Sequence, residues 1–106
     1  DIREDSETYG KWTSVLLTPD NNRQLYVPRG FAHGFVSLED NTIFQYLIDN
    51  DYAPELEGGI LWNDPQIGIN WKEIFEKYNI EKPILSEKDI NRETLAECKT
   101  IFRRNK

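Results

Sequence analysis

The 106-residue sequence has no methionine, a single histidine and a single cysteine. The lone Cys98 excludes a disulfide within the chain and is weakly in keeping with a reducing cytoplasm. No apolar run approaches the ~18 residues of a membrane-spanning helix, and no charged-then-apolar signal peptide is present. The lone His33 cannot supply a metal site that needs several histidines and a carboxylate. The low counts of these residues argue against three classes of protein: disulfide-rich proteins, membrane-spanning proteins and metalloproteins with several histidine ligands.

Basic residues are also too few to dominate the surface. Lysine and arginine total 13 against 19 aspartates and glutamates, which gives a formal net charge of −6. This balance argues against nucleic acid or an anionic membrane as the main partner. It leaves room for a nucleotide ligand, because a diphosphate needs only about two or three local cations. Hydrophobic residues at 38% and aromatic residues at 12% predict a soluble domain with a packed β structure or an aromatic-lined pocket.

The first part of the sequence alternates short apolar segments with turn residues. The predicted strands are residues 11–18, 23–27, 31–38 and 42–48. The turns between them are residues 19–22, 28–30 and 39–41. Strands that recur at ~8–12-residue spacing predict an all-β sandwich or barrel. Within residues 31–38, Phe31, His33, Phe35 and Ser37 alternate onto one face.

The periodicity changes near residue 70 from that of strands to that of helices. A first helix is indicated by apolar residues at helical spacing, which are Trp71, Ile74, Phe75 and Tyr78. Asn70 and Glu73 have the spacing of a capping box at its start. Ser86 lies three residues before Asp89, which is a second helix-start pattern. Leu95, Cys98 and Phe102 form a thin apolar stripe, which predicts a final helix that runs into the basic end of the sequence.

From the residues alone, each candidate site residue also has an ordinary structural interpretation. His33 fits a half-buried structural histidine about as well as a ligand contact. Tyr46 shares a strand face with Phe44, and it is either a core or edge aromatic or a proton-donating phenol. Tyr52 lies in a polar loop with a proline, where it either stacks on a ligand or covers apolar surface. Three charged candidates have surface or helix-start roles by default: Glu57, Lys88 and Asp89.

Five runs of the sequence carry a stronger indication, because they occur in the order found in one family. They are DIR with SETYGKW, NRQLYVPRGFAHGFV, FQY with NDYAPE, GILWNDP with IGINW, and LSEKD. Together they resemble the dTDP-4-dehydrorhamnose 3,5-epimerase family. The resemblance extends from residue 1 to about residue 89, and residues 90–106 show no comparable match.

This resemblance implies a fold, a reaction and partners. The fold would be an all-β cupin jelly-roll barrel with a short C-terminal helical region, usually in a homodimer. Residues 1–106 would be a single partial domain, with strands in 1–69 and a mostly helical tail in 70–106. The family converts dTDP-4-dehydro-6-deoxy-glucose to dTDP-4-dehydro-rhamnose by proton abstraction and return at C3 and C5. This reaction needs neither metal nor cofactor, and neither nucleic acid nor membrane is an expected partner.

The resemblance also implies residue roles. Tyr46 matches the proton donor, and Asp89 matches the carboxylate that orients the base histidine. Tyr52 matches the tyrosine that stacks on thymine, and His33 matches a histidine that contacts the substrate and is not the base. Two further residues match positions that contact nucleotide or substrate: Glu57 and Lys88.

The family's base is the histidine of an LRGLH run that precedes the DIR segment, and no such run occurs in this sequence. We therefore expect a partial barrel that needs upstream strands, and no activity from these residues alone. The preferred interpretation is part of a longer chain, followed by a short protein that has lost activity. Two functional alternatives stay open: a catalytically dead cupin-like module that binds nucleotide sugars, and an epimerase for another 4-keto sugar nucleotide.

Overall fold

The computed structural model describes residues 1–51 and 58–98. Regular structure within these ranges consists of helix α1 (Trp71–Lys77), helix α2 (Glu87–Ile90) and a parallel β-bridge between Ile60 and Glu93. Neither helix has the length and apolar character needed to cross a bilayer. The remaining described backbone consists of turns and of segments without strand pairing.

Helix α1 begins where its sequence pattern predicts. The Asn70 side chain accepts a hydrogen bond from the Glu73 backbone N–H at 3.3 Å, so one of the N–H groups left over at the helix start is satisfied. The Asn70 amide also donates to the Glu73 carboxylate at 3.1 Å. Tyr78 closes the helix as its C-cap. The predicted first helix is confirmed.

The apolar side of α1 packs on the segment before it. The Trp71 indole N–H donates to the Trp62 carbonyl at 2.7 Å. The Trp62 ring lies 5.8 Å from the Trp71 ring and 6.3 Å from the Phe75 ring, centroid to centroid. Such aromatic contacts contribute beyond their buried area. The cluster therefore attaches α1 to the loop that contains Trp62.

Helix α2 also begins at its predicted cap. Ser86 has extended backbone geometry, and its hydroxyl accepts from the Asp89 N–H at 3.2 Å. Asn91 ends the helix, with its side-chain amide donating to the Glu87 carbonyl at 2.9 Å. The second helix start is confirmed, and it places Lys88 and Asp89 on one short exposed helix.

The predicted final helix has its first turn in the described part of the chain. The Cys98 N–H bonds to the Thr94 carbonyl at 2.8 Å, which is helical spacing. The Glu97 carboxylate accepts from the Thr94 backbone N–H at 3.2 Å, and the Thr94 hydroxyl accepts from the Glu97 N–H at 3.3 Å. This reciprocal pair is a capping box. The rest of that prediction, which includes Phe102, lies outside the described residues.

This capping box predicts a pH-dependent contribution to stability. Hydrogen bonds from the Thr94 side chain and backbone lower the pKa of Glu97. A lowered pKa in the folded state means that the stabilisation is present above the ordinary glutamate pKa and is lost as the pH falls through the lowered value. Thr94→Ala should cost about 1 kcal/mol near neutral pH, as is usual for a lost cap.

The measurement is urea unfolding of Thr94→Ala and Glu97→Gln, beside the parent chain, at neutral pH and well below the carboxylate pKa. The difference between Glu97→Gln and the parent should shrink at low pH, because the parent carboxylate is then also protonated. A difference that stays constant across this range would contradict the capping role.

The turns of the first half fall where the sequence predicts them. Residues 19–22, 29–30 and 39–41 bend the chain, and the stretches between them coincide with the predicted strands. Asn22 and Asn41 have φ angles of 52° and 60°, a left-handed conformation that asparagine tolerates better than most residues. The described stretches do not join into a hydrogen-bonded ladder. The cupin barrel stays a prediction.

Two of these stretches nevertheless face each other through their side chains. The Ser37 hydroxyl donates to the Thr42 hydroxyl at 2.8 Å, and the Phe35 and Phe44 rings stack with centroids 3.8 Å apart. Residues 31–38 and 42–48, joined by the turn at 39–41, thus form an antiparallel hairpin arrangement. We refer to residues 29–49 as the hairpin.

The buried centre lies elsewhere, where three distant segments meet. Leu95 is 2% exposed and Asp64 is 3% exposed. The two Asp64 carboxylate oxygens accept from the Leu95 N–H at 3.1 Å and the Ile67 N–H at 3.0 Å. A side-chain methyl of Leu95 lies 3.3 Å from the position that a Cβ on Gly10 would occupy. This small core fastens the segment after α2 to two earlier parts of the chain.

Candidate functional site

The hairpin gathers two of the predicted site residues. Phe35 faces Phe44, and the Phe44 ring contacts the Tyr46 ring at 5.6 Å. A step of two residues back from Phe35 and two forward from Phe44 makes His33 and Tyr46 the next facing pair. Facing pairs in an antiparallel arrangement have Cβ atoms ~4.5–5.5 Å apart. The register of the Phe35–Phe44 pair therefore predicts that an imidazole and a phenol occupy neighbouring positions on one face.

Both side chains of this pair are open to solvent. Tyr46 is 65% exposed, and His33 belongs to the exposed class rather than to the half-buried histidines. The Tyr46 ring contacts Phe44, one member of a stacked pair of phenylalanine rings. The arrangement is therefore a surface that can receive a flat or ring-shaped ligand, with one proton-carrying group from each arm of the hairpin.

The entrance to the hairpin is fixed by the N-terminal segment. The Ile2 N–H donates to the Gly30 carbonyl at 3.1 Å. The Arg3 guanidinium lies over the Phe31 ring, 4.7 Å from its centroid, which is within cation–π range. At the same open end of the hairpin, Arg29 and Asp49 form an exposed ion pair at 3.0 Å. Exposed pairs of this kind contribute little stability, so the N-terminal contacts are the firmer support.

Lys88 and Asp89 occupy a different element. Both are exposed on α2, where the Asp89 backbone N–H caps onto Ser86. Across the described ranges, no hydrogen bond, ion pair or ring contact joins Asp89 to Tyr46 or His33. The structure thus places the predicted catalytic pair, Tyr46 and Asp89, on two separate elements without a direct link. Their roles stay predictions.

Two further predicted residues, Tyr52 and Glu57, lie outside the described residues. The described ranges also contain no group of three histidine, cysteine, aspartate or glutamate side chains placed to hold a metal ion. A shallow groove is lined by residues that are not among the predicted site residues: Tyr9, Gly10, Lys11, Trp12, Gln66 and Ile67.

Sequence reasoning missed two residues that support these elements. In the sequence, Asp64 is only part of the GILWNDP run, yet it is buried and holds the segment after α2. Asp1 was read only as part of a run, yet its carboxylate is 2% exposed and accepts hydrogen bonds from Arg3. A carboxylate near serine, threonine or backbone N–H donors is a local signal for such a role. The Leu95 N–H, which donates to Asp64, lies 31 positions along the chain, so no nearby residue signals this hydrogen bond.

Comparison with known proteins identifies the relatives of this chain. The family model for dTDP-4-dehydrorhamnose 3,5-epimerase matches residues 1–97, so the resemblance extends past residue 89. The dTDP-4-dehydrorhamnose 3,5-epimerase of Methanothermobacter thermautotrophicus is 44% identical over 97 residues, which cover 92% of this chain and 50% of the relative. That of Shigella flexneri is 47% identical over 91 residues, covering 86% and 46%.

A third relative, the enzyme of the same name from Escherichia coli, is 54% identical over 71 residues, covering 67% of this chain and 38% of the relative. The chain spans about half the length of the curated relatives it matches. No solved structure matches it significantly. The family model and these identities confirm the family that the five sequence runs predict. The chain belongs to the dTDP-4-dehydrorhamnose 3,5-epimerase family.

Proposed function

We propose that these residues form the proton-donating part of an epimerase that converts dTDP-4-dehydro-6-deoxy-glucose to dTDP-4-dehydro-rhamnose, in dTDP-rhamnose biosynthesis. The observation that carries the proposal is the exposed Tyr46 phenol on the hairpin, in ring contact with Phe44, which itself stacks on Phe35. The names of the matching relatives support the same substrate.

The proposed chemistry follows from the ketone at C4 of the sugar. The C–H bonds at C3 and C5 are acidified because the electron pair left by deprotonation delocalises into an enolate. A base takes the proton from one face, and the Tyr46 phenol returns a proton to carbon from the other face, which inverts the centre. The Tyr46 phenolate is then reprotonated from solvent, and the protonated base releases its proton to solvent. His33, at the neighbouring position, is suited to donate a hydrogen bond to a substrate oxygen.

The base and part of the fold must come from outside these residues. His33 is the sole histidine of this sequence, and the register of the hairpin predicts that it lies on the same face as the proposed donor. The opposite face of the hairpin carries Ile43 and Leu47, which are 92% and 93% exposed. Large apolar side chains left so open need a covering surface. Upstream strands that complete a cupin barrel, in a cytoplasmic homodimer, would provide both the cover and the base that Asp89 orients.

The test compares two proteins. The first is the 106-residue chain, and the second is an extended chain in which these residues follow the upstream half of a relative. The extended chain should invert the sugar and exchange the C3 and C5 hydrogens with deuterium from solvent. The 106-residue chain alone should be slower by at least about 10²-fold, the usual cost of a missing general base. An extended chain that folds and neither exchanges nor inverts would contradict the proposal.

A second candidate function is binding of a nucleotide sugar without turnover. It is favoured by the exposed Phe35–Phe44 stack beside Tyr46, which a flat ring can cover without any proton transfer. Calorimetry with dTDP, together with hydrogen exchange, separates the two functions. Binding of dTDP by the extended chain with no exchange at either carbon would support the binding function. Turnover of another 4-keto sugar nucleotide in preference to the dTDP substrate would instead support a related epimerase.

A further inference from the structure

We infer that Arg3 is a positioning residue that fixes the start of the hairpin, so that His33 and Tyr46 keep their common face and spacing. The kinetic part of this inference rests on the proposed epimerase function. The structural part stands on contacts among the N-terminal segment, Gly30 and Phe31.

The guanidinium of Arg3 is held in one orientation. Its Nε and Nη2 donate to the two carboxylate oxygens of Asp1, each at 2.9 Å, in a bidentate pair. The same carboxylate accepts from the hydroxyls of Ser6, at 2.6 Å, and Thr8. The Asp1 side chain is 2% exposed and that of Arg3 is 21% exposed. A bidentate pair shielded from water gives directional restraint that a solvated pair does not.

The restrained Arg3 side chain then contacts the first residues of the hairpin. Its Cγ lies 2.7 Å from the position that a Cβ on Gly30 would occupy, and Gly30 has a φ angle of +90°. Only glycine accommodates both that conformation and that close approach. The guanidinium covers the Phe31 ring at 4.7 Å. The hairpin entrance is therefore packed directly beneath one arginine.

From Phe31 the effect reaches the site through alternation along the strand. Phe31, His33 and Phe35 point to the same side of an extended segment. Phe35 stacks on Phe44, which contacts Tyr46. The described hairpin has no ladder of backbone hydrogen bonds, and its two arms contact each other through side chains. A shift at Phe31 would change the placement of His33 relative to Tyr46.

The experiment uses the extended chain with Arg3→Ala, Arg3→Lys and, as a matched control, Arg23→Ala at an exposed arginine of the preceding segment. Small misplacements of reacting groups cost up to about 10²-fold, so Arg3→Ala should lower kcat by about 10- to 100-fold, with a much smaller change in KM. Arg3→Lys should restore kcat only in part, because lysine keeps the charge but not the bidentate fork. Arg23→Ala should match the parent.

A second measurement is independent of turnover. The imidazole resonances of His33, assigned by comparison with His33→Gln, should shift in Arg3→Ala and stay in place in Arg23→Ala. The effect of Arg3→Ala should also be smaller when Phe31 is already leucine, because the ring that transmits it is gone. If the parent extended chain is active, a kcat that Arg3→Ala leaves unchanged would overturn the role of Arg3. If the parent is inactive, His33 resonances that Arg3→Ala leaves unchanged would overturn it. An inactive parent with shifted His33 resonances would overturn the proposed function alone.

Discussion

Tyr46→Phe should lower the inversion rate of the extended chain by about 10²–10⁴-fold, the range typical for removal of a general acid. The substitution removes only the hydroxyl, so the contact between ring 46 and Phe44, at 5.6 Å, can persist. Because Tyr46 is 65% exposed, we expect little change in the free energy of unfolding. The loss would therefore report chemistry rather than folding.

Isotope exchange makes the Tyr46 test sharper. The base still removes the proton in Tyr46→Phe, and it can return a solvent deuteron to the same face. Exchange at C3 and C5 should therefore exceed inversion by a larger ratio than in the parent. The matched control is Tyr26→Phe, since Tyr26 is an exposed tyrosine of the preceding segment, at 84%. A Tyr46→Phe variant that inverts the sugar at the parent rate would remove the role proposed for the phenol.

Asp64→Ala should destabilise the chain by about 2–4 kcal/mol, because one buried and one partly buried backbone N–H group lose their acceptor. These groups belong to Leu95 and Ile67, and the carboxylate between them is 3% exposed. Asp64→Asn keeps the shape but turns an amide N–H₂ toward one of the two donors. It should cost less than alanine and more than an ordinary surface change.

Urea unfolding measures both Asp64 variants, with Asp20→Asn as the control at an exposed turn aspartate. The unfolding midpoint should fall for the two Asp64 variants and remain unchanged for Asp20→Asn. An ordinary surface substitution changes the free energy of unfolding by less than about 0.5 kcal/mol. A change that small for Asp64→Asn would contradict a stabilising role for the carboxylate.

What the sequence predicts well is local. Asn70 and Ser86 accept from N–H groups three residues ahead, so a short window contains both partners of each cap. The side-by-side placement of Phe44 and Tyr46 follows from alternation along one segment. Even the turn at 39–41 is visible from its own residues.

What the sequence does not predict involves partners far apart along the chain. Nothing near Asp64 indicates that its carboxylate accepts from Leu95, because the two residues are 31 positions apart. The stacking of Arg3 on Phe31 likewise depends on how the tertiary structure brings two separate segments together. The roles predicted for Lys88 and Asp89 have no signal in the residues next to them. Family resemblance supplied those roles, and local physics could not.

The contact between Asp64 and Leu95 also defines a closed loop of chain that contains both helices. The entropy cost of closing a loop grows only logarithmically, by about 0.6 kcal/mol for each doubling of its length. Insertions or deletions between α1 and α2 should thus be inexpensive, whereas changes at the two anchoring ends are not. Residues added to or removed from the connection between the helices should therefore leave the closure itself intact.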